Sequence, residues 1–204
     1  CRNSVIIVLI IVFAVLIWMA VRVHQDAPPI PEKVVGQSGE TIFTRDDILA
    51  GQEVFLKYGL MENGTIWGHG AYLGPDFTAE YLHTLAMDAN GHLAKQYHNR
   101  SFSELTSAER AAVGAEVQQL LKQNRYHSGI GALVYTLPEI ASFRKQISKW
   151  TEYFSHPTLN RGLMIKHVKD PKELQQLTAF FAWTAWASVA NRPGKEYTYT
   201  NNFP

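Results

Sequence analysis

Eight histidines, one cysteine and 18 acidic residues are the groups from which this chain could assemble a reactive centre. The lone cysteine, Cys1, lies outside the globular part, which excludes a disulfide framework, a zinc ribbon and a thiol redox pair within one chain. His83, His92 and His98 cluster along the sequence, but their spacings fit neither a zinc helix nor a zinc finger, and no HExxH occurs. Each histidine therefore reads as satisfied or solvated rather than ligating. The glycines of "GHGAYLG" (Gly68, Gly70, Gly74) are too widely spaced at the end for a dinucleotide fingerprint, and no strand precedes them. "GIG" at 129–131 reads as a turn, and neither a P-loop nor a nucleophile elbow is present. Asp46 and Asp47 are most simply first-turn residues that complement a helix dipole. A net charge of +1, from 19 basic and 18 acidic residues, supplies no basic stripe for nucleic acid.

The elements that must position any site begin with an uncharged run at 4–21, "SVIIVLIIVFAVLIWMAV". As a helix it spans about 27 Å, close to the hydrocarbon thickness of a bilayer. Trp18 near its end suits the membrane interface. A cleaved signal peptide would have a shorter apolar core and a small-x-small site after it, and "VRVHQDAPPIP" offers none. Residues 1–24 thus read as a transmembrane anchor. Arg2 and Arg22 flank it on both sides, so charge alone leaves its orientation open. Residues 25–43, rich in proline and polar groups, read as an extended tether, and 44–204 as one mainly helical domain.

Within that domain Thr44 is expected to cap a helix carrying Ile48, Val54, Phe55 and Tyr58 on its apolar face, with Gly59 as its stop. A shorter helix is expected over 79–87. Capping boxes at Thr106/Glu109 and Thr136/Glu139 open two more. The first carries Val113, Val117, Leu120 and Leu121, and the second Ile140, Phe143, Ile147, Trp150 and Phe154. "DPKE" starts the last helix, with Asp170 as cap, Pro171 in the first turn and Glu173 third, and it runs to about Ala190. "GALVYT" at 131–136 is the one strand candidate. Phe180, Phe181, Trp183 and Trp186 could line a cofactor pocket, but an aromatic stripe on a helix is more often core. On these grounds alone the chain is a membrane-anchored helical domain with no self-contained active site.

One glycine-rich stretch goes further. "GQEVFLKYGLMENGTIWGHGAYLGPDF", at 51–77, resembles the run in the membrane-anchored cytochrome c subunit of bacterial nitric oxide reductase in which a helix leads into Cys-x-x-Cys-His and then Gly-x-Gly-Ala-Tyr. Aligning Gly70, Ala71 and Tyr72 with Gly-Ala-Tyr puts Leu60 and Asn63 at the two cysteine positions and Gly64 at the histidine position. Covalent haem attachment needs two thiols and an axial imidazole. This resemblance implies a cytochrome c-like fold lacking haem c.

That is the pattern of the quinol-dependent nitric oxide reductases, in which a cytochrome-like domain precedes the catalytic membrane domain. "YGLMENGTIWGHGAYLGPDFTAEYLH" and "ANRPGKEYTYTNNFP" both resemble that family, and the likeness is weaker over 89–159. It implies that no residue here is catalytic. Haem b, haem b3 and non-haem iron would belong to the multi-helix membrane domain, which reduces two NO, with two electrons and two protons, to N2O and water. It implies quinol as donor, the lipid bilayer and that membrane domain as partners, a homodimer as one assembly, and the bacterial inner membrane with the globular domain on the periplasmic side. It implies a calcium ion held by Gly70 and Tyr72, its shell completed by carboxylates or propionates outside this chain. The alternative for that turn is plain packing against the next domain. Nitric oxide dismutase, on the same scaffold, and a non-enzymatic periplasmic interaction module are the competing readings. Because haem forms most of a cytochrome c core, its place must be filled, and the segment 85–157 with Phe143, Trp150 and Phe154 is the expected filler.

Overall fold

The computed structural model describes residues 2–156, 158–160, 162–163 and 167–201. Cys1, Pro157 and the end of the tail motif at 202–204 lie outside the described residues.

The chain opens with helix α1 (Arg2–Gln25), none of whose residues is buried. It is long and apolar enough to cross a membrane. The segment 25–43, expected as an extended tether, instead contains two strands of a sheet: β1 (Lys33–Gly36) and most of β2 (Thr41–Thr44). Val34 and Phe43 are almost fully buried. The pairing partner explains the difference. β1 lies parallel to β6 (Ala132–Tyr135), with Val34 opposite Leu133, about a hundred residues later in the chain. With β5 (Tyr126–His127) the sheet order is β2-β1-β6-β5. The expected strand at "GALVYT" is β6.

Helix α2 (Arg45–Lys57) begins where Thr44 predicts, with Thr44 Oγ1 accepting from the Asp47 amide and Asp47 accepting from the Thr44 amide. A 3-10 turn (Leu60–Glu62) and a two-stranded hairpin, β3 (Thr65–Ile66) and β4 (His69–Gly70), follow. Helix α3 (Phe77–His98) is more than twice as long as expected. Asp88, Asn90 and Gly91 weaken its intrinsic propensity, yet Ala89, Leu93 and Ala94 continue its buried face, and that burial outweighs propensity. Both capping boxes form at α4 (Ser107–Lys122) and α5 (Leu137–Ser155). Of the expected apolar faces, Leu120, Ile147 and Tyr58 are only partly buried and the rest are buried.

Helix α6 (Pro171–Val189) is the centre of the core. Leu174, Leu177, Phe180, Phe181, Ala185 and Trp186 are all buried, as befits a helix surrounded by α2, α3 and α5. At Gly51 of α2 a Cβ would overlap the Gln176 carbonyl of α6, so the two backbones touch there because glycine allows it. Asp170 caps α6 by accepting from the Lys172 amide. Glu173 does not reach back to the cap; it accepts from Lys57 Nζ (2.5 Å) and Tyr58 Oη (2.7 Å) and ties α6 to the end of α2.

Candidate functional site

Leu60, Asn63 and Gly64 lie on the short loop between α2 and β3, and all three are buried. Leu60 has no exposed surface. Asn63 is held at both ends of its amide. Its Nδ2 donates to the Asn160 carbonyl (3.4 Å), and its Oδ1 accepts from Tyr153 Oη (3.3 Å). Its backbone carbonyl accepts from the Gly74 amide (2.5 Å), which closes the glycine-rich loop on itself. At Gly64 a Cβ would stand 2.6 Å from Cε2 of Phe77 and would overlap the Pro75 carbonyl, so no side chain fits.

Beside this loop lies a continuous aromatic cluster. Phe77, at the start of α3, is fully buried and stacks on Phe181 at 4.9 Å and 6°. Trp150 (5.6 Å), Phe55 (5.9 Å), Tyr153 (6.2 Å) and Phe154 (6.3 Å) surround the same ring. Trp150 and Phe154, expected as fillers, are in this cluster with no exposed surface. Phe143 is buried elsewhere, against Phe43 (4.8 Å) beside the sheet. Phe77, Phe181 and Tyr153 complete the packing. The ring of Phe77, rather than Phe143, occupies the space beside Gly64. At about 25 cal/mol per Å2 of apolar surface, each such ring contributes several kcal/mol to the core.

The aromatic stripe on α6 is core. Phe181 belongs to this cluster and Phe180 contacts Phe55. Trp183 Nε1 donates to the Pro29 carbonyl (3.0 Å), and Trp186 packs on Tyr126 and Tyr199.

The candidate cation residues present a different face. Gly70 ends β4, opposite Thr65, and Tyr72 is 85% exposed with its hydroxyl donating to the Gly68 carbonyl (3.4 Å). Asp76 is the organiser of this loop, which composition alone did not single out. One of its oxygens accepts from the Ala79 amide as the α3 cap, and the other accepts from Thr65 Oγ1 (2.7 Å) and the Gly68 amide (2.6 Å). Both carboxylate oxygens are therefore engaged. Among the described residues no three His, Cys, Asp or Glu side chains gather to hold a metal. A hard cation takes six to eight oxygens. A carbonyl at Gly70 and a phenol at Tyr72 fit such an ion only as a minority of its shell.

Several charged groups of the domain join its elements. Glu173 is held below its ordinary value chiefly by the Lys57 hydrogen bond and then by Tyr58, while the same carboxylate pushes the Tyr58 phenol up. His167 Nε2 donates to the Tyr58 carbonyl (2.8 Å), which adds a third link at this corner. Arg125 donates to both oxygens of the buried Glu139 (2.6 and 2.7 Å) and to the carbonyls of Leu120 and Val134. That single guanidinium joins α4, β6 and α5. Burial pushes the Tyr81 and Tyr135 phenols well up, so neither ionises near neutral pH.

Residues 31–204 match the family model of the NorB cytochrome c-like domain of nitric oxide reductase. No curated protein matches the chain.

Proposed function

The chain belongs to the family of NorB cytochrome c-like domains of nitric oxide reductase, and from that premise we propose that it is the haemless, membrane-anchored cap of a quinol-dependent nitric oxide reductase. The observation that carries this reading is the loop at 60–64. Its three haem-attachment positions hold Leu60, Asn63 and Gly64, and the adjoining volume is packed with Phe77, Trp150, Phe154 and Phe181. A domain without thiols or an axial imidazole at that loop offers no covalent haem through which a water-side carrier could pass electrons. Electrons then enter from quinol within the membrane, and the domain serves to cover and brace the catalytic membrane domain.

In this reading haem b, haem b3 and non-haem iron reside in that membrane domain and supply the redox chemistry that converts two NO to N2O and water. This chain's residues orient and shield. α1 anchors the cap in the bacterial inner membrane, and the domain stands on the periplasmic side. The exposed loop with Met61, Tyr72 and Leu73 is the face offered to the membrane domain. If a calcium ion bridges the two, the Gly70 carbonyl and Tyr72 are this chain's contribution, and the remaining oxygens come from across the interface.

The test uses the full-length enzyme with two donors. A reduced quinol should drive NO consumption with N2O as the product, and reduced cytochrome c should not. Comparable turnover with cytochrome c contradicts the reading, and N2 with O2 as products identifies a dismutase instead.

A further inference from the structure

Among the described residues, Trp67 and Asn99 alone combine a side chain with a positive φ. Trp67 (φ 53°) and Gly68 (φ 77°) are the two central residues of the turn between β3 and β4, where Ile66 pairs with His69. Positive φ at both is what a type I′ hairpin turn requires. Such turns favour asparagine, aspartate or glycine at the first position, and a bulky aromatic residue there is strained. Strain of this kind persists only where the surroundings over-determine it. At Trp67 the surroundings are α6. Its Nε1 donates to the Thr184 carbonyl (2.9 Å). Its amide donates to Thr78 Oγ1 (3.4 Å), which itself donates to Thr184 Oγ1 (3.1 Å). The indole ring lies 5.7 Å from the ring of Trp183.

Trp183 carries the connection to the anchor. Its Nε1 donates to the Pro29 carbonyl (3.0 Å). Pro29 follows α1 closely. The Asp26 and Ala27 amides still donate to the Arg22 and His24 carbonyls, and Pro28 and Pro29, with φ fixed by their rings, come next. The Ile30 carbonyl then accepts from an Arg45 guanidinium nitrogen (3.3 Å), and the Glu32 amide donates to the Gly131 carbonyl (2.7 Å). On the other side of the tryptophan pair, the Tyr72 hydroxyl donates to the carbonyl of Gly68, the neighbour of Trp67 (3.4 Å). An unbroken series of contacts therefore runs from Tyr72 through Gly68, Trp67 and Trp183 to Pro29.

We propose that Trp67 and Trp183 are positioning residues, which together set where the loop of Gly70, Tyr72 and Leu73 stands relative to the membrane anchor. The proposal rests on the reading of this chain as the cap of a membrane-bound reductase, and it deepens the part that loop plays there. A catalytic domain that shares the bilayer with α1 meets the loop in one register only if the loop and the exit of α1 move as one body. Hairpin stability alone asks for a different residue at position 67. Asparagine would relieve the turn but is too short to reach α6, so the tryptophan serves the contact with α6 rather than the turn.

The full-length enzyme in lipid nanodiscs, with spin labels on unnatural side chains at His69 and Gln25, tests this. Trp67→Asn supplies a favoured turn residue and removes the indole. It should about double the width of the distance distribution between the labels. It should also lower quinol-driven NO turnover about tenfold, as a misplaced partner surface would. Amide exchange of α5 should stay at the wild-type rate. Trp183→Phe keeps a ring in place but removes the bond to Pro29, and it should widen the same distribution. An unchanged distribution in either variant overturns the proposal, and so does full turnover from Trp67→Asn with a widened distribution. Faster α5 exchange in Trp67→Asn would make the indole a core residue only, and overturns it as well. A wild-type enzyme that consumes no NO with quinol refutes the reading of the cap instead, and the label distances then decide the coupling by themselves.

Discussion

The rings of Phe77 and Phe181 lie 4.9 Å apart and within 6° of parallel, and Phe77 also blocks any side chain at Gly64. One ring therefore both builds the core and keeps any side chain out of position 64. Phe77→Ala should destabilise the domain by about 3–5 kcal/mol, because the surrounding helices cannot collapse onto the void. Phe77→Leu should fall well short of that. Hydrogen exchange of α3 and α5 amides in the intact protein measures both.

Gly64→Ala is the converse experiment. Its methyl group would meet the Phe77 ring and the Pro75 backbone, and overpacking of this kind costs about 1–3 kcal/mol. The double variant Gly64→Ala/Phe77→Leu should recover part of that loss, as expected of residues in contact. Additive losses in the same exchange measurement would mean that the two sites do not communicate.

The buried pair of Arg125 and Glu139 predicts strong asymmetry between breaking and replacing. Glu139→Leu leaves a largely buried guanidinium without its carboxylate and should cost about 3–5 kcal/mol. Arg125→Met with Glu139→Leu should cost less than the sum of the single changes. Thermal unfolding of the four proteins of this cycle, compared under one set of conditions, gives the coupling directly.

How much of this was legible in the chain depended on how local each feature is. Thr44, Thr106, Thr136 and Asp170 announced four helix starts, because capping chemistry acts over three residues. Residues 33–44 did not reveal their strands, because the pairing that creates them comes from β6. That Leu60, Asn63 and Gly64 offer neither thiol nor imidazole is a matter of residue type, whereas their assignment to a haem-binding loop came from the resemblance alone. What packs there instead could be read only in part. Trp150 and Phe154 stood out on a periodic helix face, whereas Phe77 sits at a helix start, and its stacking on Phe181 joins elements about a hundred residues apart.

Glu109 gives a pH prediction. Hydrogen bonding from the Thr106 backbone amide and hydroxyl, then from Arg100, holds its carboxyl at about 2, against an ordinary 4.5. A folded pKa below the unfolded one stabilises above the unfolded value, and the stabilisation is lost as pH falls through the folded value. Protection of the first turn of α4 should therefore decline from about 4.5 down to about 2. Glu109→Gln should flatten that decline, as followed by amide exchange across the window.

The central claim, that aromatic packing has taken the place of a covalently bound haem, meets its most direct test in acid-acetone extraction of the purified full-length protein. Every haem should leave the polypeptide, which should then show no haem-dependent peroxidase staining on a denaturing gel. Haem that stays bound to the chain after extraction would contradict the account.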